Sequence, residues 1–164
     1  MFRKATTPEH ISQRVKDWCK AFAGSEPFYV NTGNGPPTFC HLNAASESIR
    51  TGADIVPGWV IWEGGFILEA ECHSIILLDG NYIDPTRQED GELRVLFVPD
   101  VKNNPSFFQG ENIFSYHNLI FPKKKPERSI RRVLRTDLNF HIVGKLDPES
   151  EMSKKILMVS DSLK

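Results

Sequence analysis

Hydrophobic residues near the start of the chain recur at helical spacing. In TTPEHISQRVKDWCKAFAG, residues Ile11, Val15, Trp18, Cys19 and Phe22 fall on one face. A helix is predicted there, with Thr7 as its cap, Pro8 in its first turn and Gly24 at its end. Cys19 lies on the buried face. A loop from Asn31 to Pro37 follows, and then a short helix, FCHLNAASESIRTG, with Thr38 as N-cap and Gly52 as stop. After Gly52 the period shortens to two. GWVIWE, ILEAECHSIILL, NYIDPT, LRVLFVP, NIFSYHNLIF and NFHIVG read as strands. The last stretch, DPESEMSKKILMVSDSLK, returns to helical spacing through Met152, Ile156, Val159 and Leu163, opened by Asp147-Pro148. This order predicts an α+β domain. Its N-terminal helices, one carrying Cys40 at its start, pack on a mostly antiparallel sheet.

Composition narrows the picture without choosing a function. The 164 residues suit a single domain, 1–164, with no linker, repeat or low-complexity segment. No apolar run approaches a membrane span. MFRKATTPEH lacks the apolar core of a signal peptide, and three cysteines are too few for a disulfide framework. A cytoplasmic location is expected. The net charge of −1 hides one asymmetry. KKKPERSIRRVLR, from Lys123 to Arg135, holds seven basic residues and one acidic, a net +6 that leaves −7 elsewhere. It is either a solvated face or a weak polyanion site through Lys123, Lys124, Lys125, Arg131, Arg132 and Arg135.

Two Cys-His pairs, Cys40-His41 and Cys72-His73, carry the candidate chemistry. As zinc ligands they have the right types and number. Adjacent residues diverge, however, to opposite faces on a strand and by about 100° on a helix. No metal site is expected. As a nucleophile, Cys40 is well placed. It sits in the first turn of a predicted helix, where the dipole and unpaired N–H groups favour a thiolate. Asn34, six residues earlier, and the Cys40 backbone N–H are candidate oxyanion donors. The competing reading of Cys40 is a small buried apolar residue.

The partner for Cys40 comes from a hairpin. Asp79-Gly80 is a strong two-residue turn signal. If it forms the loop, Leu78 pairs with Asn81, and His73 and Asp84 become diagonal neighbours on one face. Such neighbours lie about 7 Å apart, within reach of an imidazole–carboxylate hydrogen bond. Cys72 goes to the other face, with Ile83, in a core role. Glu69 and Glu71 share the parity of His73 and stand as substrate-binding candidates. So do Trp59 and Trp62, one of which is expected to pack in the core and the other to wall the site. His10, His117 and His141 are given surface or hydrogen-bonding roles.

A cysteine opening a helix, then a histidine on a strand, then an acid on the next strand, resembles the papain-like and transglutaminase-like cysteine enzymes. More narrowly, GWVIWEGGFILEAECHSIILLDGNYIDPT is similar to a group of small bacterial and phage proteins with a GW.IWE strand, then EAE.H, a turn and D.T. The resemblance covers roughly Gly33 to Thr86. It implies a nucleophile at Cys40, a base at His73, an orienting acid at Asp84, and Asn34 where the papain group has an oxyanion-hole glutamine. His41 stands where the papain signature has an aromatic residue, and the glycine-rich tripeptide before the cysteine is absent.

The expected function is a cysteine hydrolase or acyl transferase acting on an amide of a protein or peptide-like substrate, without metal or organic cofactor. It would work in the cytoplasm of a bacterium or infected host cell. The rival is a non-catalytic binding or inhibitor protein on the same scaffold, possibly phage-encoded, that uses the basic 123–135 stripe.

Overall fold

The computed structural model describes residues 5–124, 140–147, 149–151 and 153–155. The elements are α1 (Gln13–Ala23), β1 (Phe28–Gly35), α2 (Cys40–Thr51), β2 (Asp54–Glu63), β3 (Ile67–Leu78), β4 (Asn81–Thr86), β5 (Arg94–Pro99), β6 (Ser106–Gln109), β7 (Asn112–Tyr116), β8 (Leu119–Pro122) and β9 (Phe140–Lys145). The class is α+β, as expected. The closing helix predicted after Asp147 falls mostly outside the described residues, as do Lys125, Arg131, Arg132 and Arg135.

The larger sheet runs β2-β5-β1-β4-β3-β8, and β2 also pairs with β3. Five strands therefore close into a ring, and β8 adds to the start of β3 through Ile67↔Pro122 to Ala70↔Leu119. The longest contact is the β2–β3 ladder, unbroken from Asp54↔Leu77 to Glu63↔Leu68. Pairing is antiparallel except between β1 and β4. A second, three-stranded sheet runs β6-β7-β9.

Strand alternation gives the ring two faces. Val30, Val60, Trp62, Ile75, Val95 and Phe97 pack together from β1, β2, β3 and β5 as its interior. On the outer face, Trp59, Ile61, Leu68, Ala70, Cys72, Leu96, Val98 and Phe121 receive Val15, Trp18, Cys19 and Phe22 of α1. Aromatic contacts dominate this layer: Trp18–Phe22 at 4.8 Å and Phe22–Trp59 at 5.8 Å between ring centroids. Burial of each such ring contributes about 2–3 kcal/mol. Helix α2 lies over β3 and β4, with its Ala44, and Ala53 just past its end, against Ile76. Its other side, through Leu42, Ala45 and Ile49, meets Ile113, Val143 and Leu146 of the second sheet region.

The structure corrects several local expectations. Helix α1 begins at Gln13, not in the turn after Thr7. Ser12 is its cap, accepting from the Val15 N–H at 3.2 Å. The Thr7 hydroxyl instead donates to the Glu92 carboxylate. The residues expected as a loop from Asn31 to Pro37 are largely strand, because β1 continues to Gly35. β1 is paired on both sides, with β5 and β4, so its backbone is satisfied by ladders despite a turn-like composition. NIFSYHNLIF is broken at His117-Asn118 into β7 and β8, which belong to different sheets. Strand β6 was not anticipated.

Candidate active site

The β3–β4 hairpin forms in the expected register. Leu78↔Asn81, Leu77↔Tyr82 and Ile76↔Ile83 are paired. Asp79 and Gly80 have φ of 51° and 80°, the two left-handed residues of a type I′ turn. Past Ile83, β4 leaves β3 and pairs in parallel with β1, Thr32↔Asp84. The register still brings His73 and Asp84 to one face, and His73 Nε2 lies 2.8 Å from Asp84 Oδ2. Both residues are almost fully buried. The other Asp84 oxygen accepts the Thr86 N–H at 3.0 Å. Thr86 Oγ1 in turn accepts from Asn43 Nδ2 of α2, also at 3.0 Å. The carboxylate is thus fixed by its own strand, and that strand is tied to the helix bearing the thiol.

Cys40 is the first helical residue of α2. The cap is Phe39 rather than the expected Thr38, and no side chain caps the helix. The first helical hydrogen bond is Asn43 N–H to Phe39 C=O, 2.8 Å. The N–H groups of Cys40, His41 and Leu42 therefore have no intrahelical acceptor. Thr38 takes φ 69°, a left-handed conformation that costs a β-branched residue about 1–3 kcal/mol. This strain sits two residues before the thiol, where the chain turns sharply into the helix.

The electrostatics separate the three cysteines. Burial opposes ionisation of Cys40, but the charge of His73, then that of His41, and hydrogen bonds from both outweigh it. The thiol is held well below its ordinary value. Burial likewise opposes charge on His73, yet the Cys40 thiolate and the Asp84 carboxylate raise it well above the ordinary imidazole value. Cys19, sealed in the α1 layer, is pushed up by burial alone. Cys72 is buried and donates its thiol proton to the Pro105 carbonyl at 3.2 Å. Since Asp84 occupies Nε2 of His73, Nδ1 is the nitrogen left for Cys40.

A cleft of about 280 Å³ adjoins the site, lined by Pro37, Thr38, Trp62, Glu69, Glu71 and Arg87 among others. Glu71 connects it to His73 and Cys40. Its carboxylate accepts the Trp62 indole N–H at 2.9 Å. Burial raises its pKa, opposed by the charge of His73, while Cys40 adds a smaller upward push. Glu69 shares the cleft and accepts from Asn118 at 3.1 Å.

The two tryptophans divide as their alternation requires. Trp62 walls the cleft, whereas Trp59 is fully buried under α1 with its indole N–H on Asp100 Oδ2 at 2.7 Å. Trp59 is therefore a core residue and leaves the substrate-facing set. Asn34 is exposed on β1, in the wall of a different pocket with Asn43, Ser46 and Arg50. It stands on a strand rather than in the expected loop, and none of its hydrogen bonds among the described residues reaches the thiol.

In the sequence His41 stands out as a rejected zinc ligand and as a departure from the papain signature; in the fold it is buried beside Cys40 with Nδ1 2.7 Å from Ser74 Oγ. Its pairing with Ser74 carries no sequence signal, because the two meet only through α2–β3 packing. His117 and His141 stack with centroids 3.9 Å apart in the second sheet region, and His10 is exposed. Of the basic stripe, Lys123 is engaged with Glu63 at 2.6 Å, and Lys124 is exposed. Among the described residues, no helix is long and apolar enough to cross a membrane. Comparison with family models, curated proteins and solved structures finds no match to this chain.

Proposed function

We propose that this chain is a cysteine-dependent hydrolase or acyl transferase acting on an amide, with a papain-like or transglutaminase-like arrangement of Cys40, His73 and Asp84. The observation that carries the reading is the buried His73–Asp84 pair facing a low-pKa thiol at an uncapped helix N-terminus. The Cys40 thiolate attacks the amide carbonyl carbon. The developing oxyanion is met by the Cys40 backbone N–H and its neighbours in the first turn. His73 gives its Nδ1 proton to the leaving nitrogen as the C–N bond breaks, leaving a thioester on Sγ. Water or an amine then attacks the thioester and loses its proton to His73 as the C–S bond breaks. Asp84 stabilises the imidazolium and fixes the ring. Glu71 and Trp62 face the substrate in the cleft.

The test is acyl-enzyme formation. With p-nitrophenyl acetate the protein should release a burst of nitrophenolate, and mass spectrometry should find one acetyl group on Cys40. Absence of both the burst and the adduct from folded protein would favour the binding-protein alternative. A panel of glutamine-containing and peptide-amide substrates, read by ammonia and new amine termini, then separates deamidation from cleavage.

A further inference from the structure

His41 takes no part in the steps above, yet it occupies a defined place beside the sulfur. His73 and Ser74 are consecutive on β3, so their side chains leave opposite faces of the strand. His73 turns to the Asp84 side. Ser74 turns to the α2 side and meets His41 Nδ1 at 2.7 Å. Ser74 Oγ is also 3.4 Å from Ser106 Oγ of β6. Both His41 and Ser74 are buried, at 6% and 2% exposure. Cys40 interacts with both imidazoles, one held by a carboxylate and one by a hydroxyl.

We propose that His41, anchored by Ser74, is a positioning residue that hydrogen-bonds Cys40 Sγ and holds it for attack, leaving His73 to move the proton. The inference rests on the reading of Cys40 as the nucleophile. Nδ1 of His41 is engaged with Ser74, which leaves Nε2 for sulfur; the ring interacts with the thiols of both Cys40 and Cys72, and more strongly with Cys40. Asp84 is already matched by His73, and a cationic His41 supplies the counter-charge that a half-buried thiolate needs. The titratable groups around His41 are Cys40 on its own helix, Cys72 on β3 and His141 on β9. Burial opposes charge on His41, but the Cys40 charge and hydrogen bond, with smaller help from Cys72, raise its pKa to about 10. His141 adds a minor repulsion.

The pH profile of Cys40 alkylation by iodoacetamide, followed by peptide mass spectrometry, tests this. In His41→Phe the midpoint should rise by about one pH unit or more, since one unit is the effect of about 1.4 kcal/mol on ionisation. His41→Gln, which keeps a donor, should recover part of that shift. Ser74→Ala should move the midpoint the same way by a smaller amount. A purely structural role for His41 moves none of these midpoints in folded protein. An unchanged midpoint in folded His41→Phe overturns the proposal; if that variant does not fold, an unchanged midpoint in Ser74→Ala does so. If Cys40 of the unmodified protein labels no faster than Cys72, the nucleophile assignment itself falls, and the role of His41 with it.

Discussion

Helices α1 and α2 finish alike and begin differently. Each is closed by a left-handed glycine, Gly24 with φ 81° and Gly52 with φ 78°. At the other end, α1 has a serine cap, while α2 has none and is entered through the strained Thr38. The buried face of α1 holds Trp18, Cys19 and Phe22, and its cysteine is driven away from ionisation. The first turn of α2 presents a cysteine driven toward it. A satisfied helix end is inert. An unsatisfied one keeps donors available for an incoming charge, at a cost in stability. The same residue type thus has opposite chemistry in two helices of one small protein, and the surroundings rather than the thiol decide which.

Exchanging the roles of the two helices gives the largest expected effects. Cys40→Ala should reduce activated-ester turnover by about 10³-fold or more, with a thermal transition close to that of the parent. Phe22→Ala should do the reverse. It should cost about 3–5 kcal/mol in denaturant unfolding, with turnover per folded molecule retained. A Cys40→Ala protein that keeps its turnover would end the distinction. Substituting His73 is a less clean probe, because it leaves Asp84 buried without its partner, a loss of about 3–5 kcal/mol.

Alkylation reads the same contrast in the unmodified protein. At pH 6, Cys40 should react with iodoacetamide about tenfold or more faster than an ordinary free cysteine, while Cys19 and Cys72 stay unlabelled until the chain unfolds. Equal labelling of all three in native protein would sink it.

The pH dependence follows from the signs of the two shifts. Cys40 is lower in the folded chain, so its ionisation adds stability above the ordinary thiol value near 8.5, lost as pH falls through the folded value. His73 is higher, so its protonation adds stability below about 6.5, lost as pH rises through its folded value. Turnover needs the thiolate and the imidazolium together. Its acid limb should therefore lie below the ordinary thiol range and its alkaline limb above the ordinary imidazole range. A profile with a single limb centred near 8.5 would contradict the ion pair.

The smallest effects concern the helix starts. Ser12→Ala should cost about 1 kcal/mol and leave Cys40 alkylation unchanged. Thr38→Gly should relieve the left-handed strain and stabilise the fold by about 1 kcal/mol, offset in part by glycine's extra freedom in the unfolded chain. If Thr38→Gly is instead neutral and Ser12→Ala alters the thiol, the two helix starts do not act independently.

What was legible in the sequence was local. Asp79-Gly80 determined a turn type, the turn set a register, and the register brought His73 to Asp84 across eleven residues. The strand bounds of β3 and β4 follow from the same alternation. What was not legible was set by distant pairing. PEHIS looked like a helix start because Thr7 and Pro8 suit one, but Thr7 is claimed by Glu92, 85 residues away. NTGNGPP reads as loop because its Asn, Gly and Pro residues suit turns, but pairing with two neighbouring strands holds the chain extended as far as Gly35. His41 and Ser74 lie 33 positions apart, and neither residue type announces the other.

Gly33 and Gly35 are on β1 for lack of room. A methyl group at Gly33 would come within 2.8 Å of the Asp84 carbonyl oxygen, and one at Gly35 would collide with the Pro85 carbonyl and lie 2.9 Å from Asn43 Nδ2. These are the backbone of the orienting acid and the side chain that ties its strand to α2. A random mutagenesis screen for inactive clones should therefore recover alanine at 33 and 35, though neither position touches sulfur. Such clones would keep the thiol and its labelling, and fail because the acid had been levered away from the imidazole.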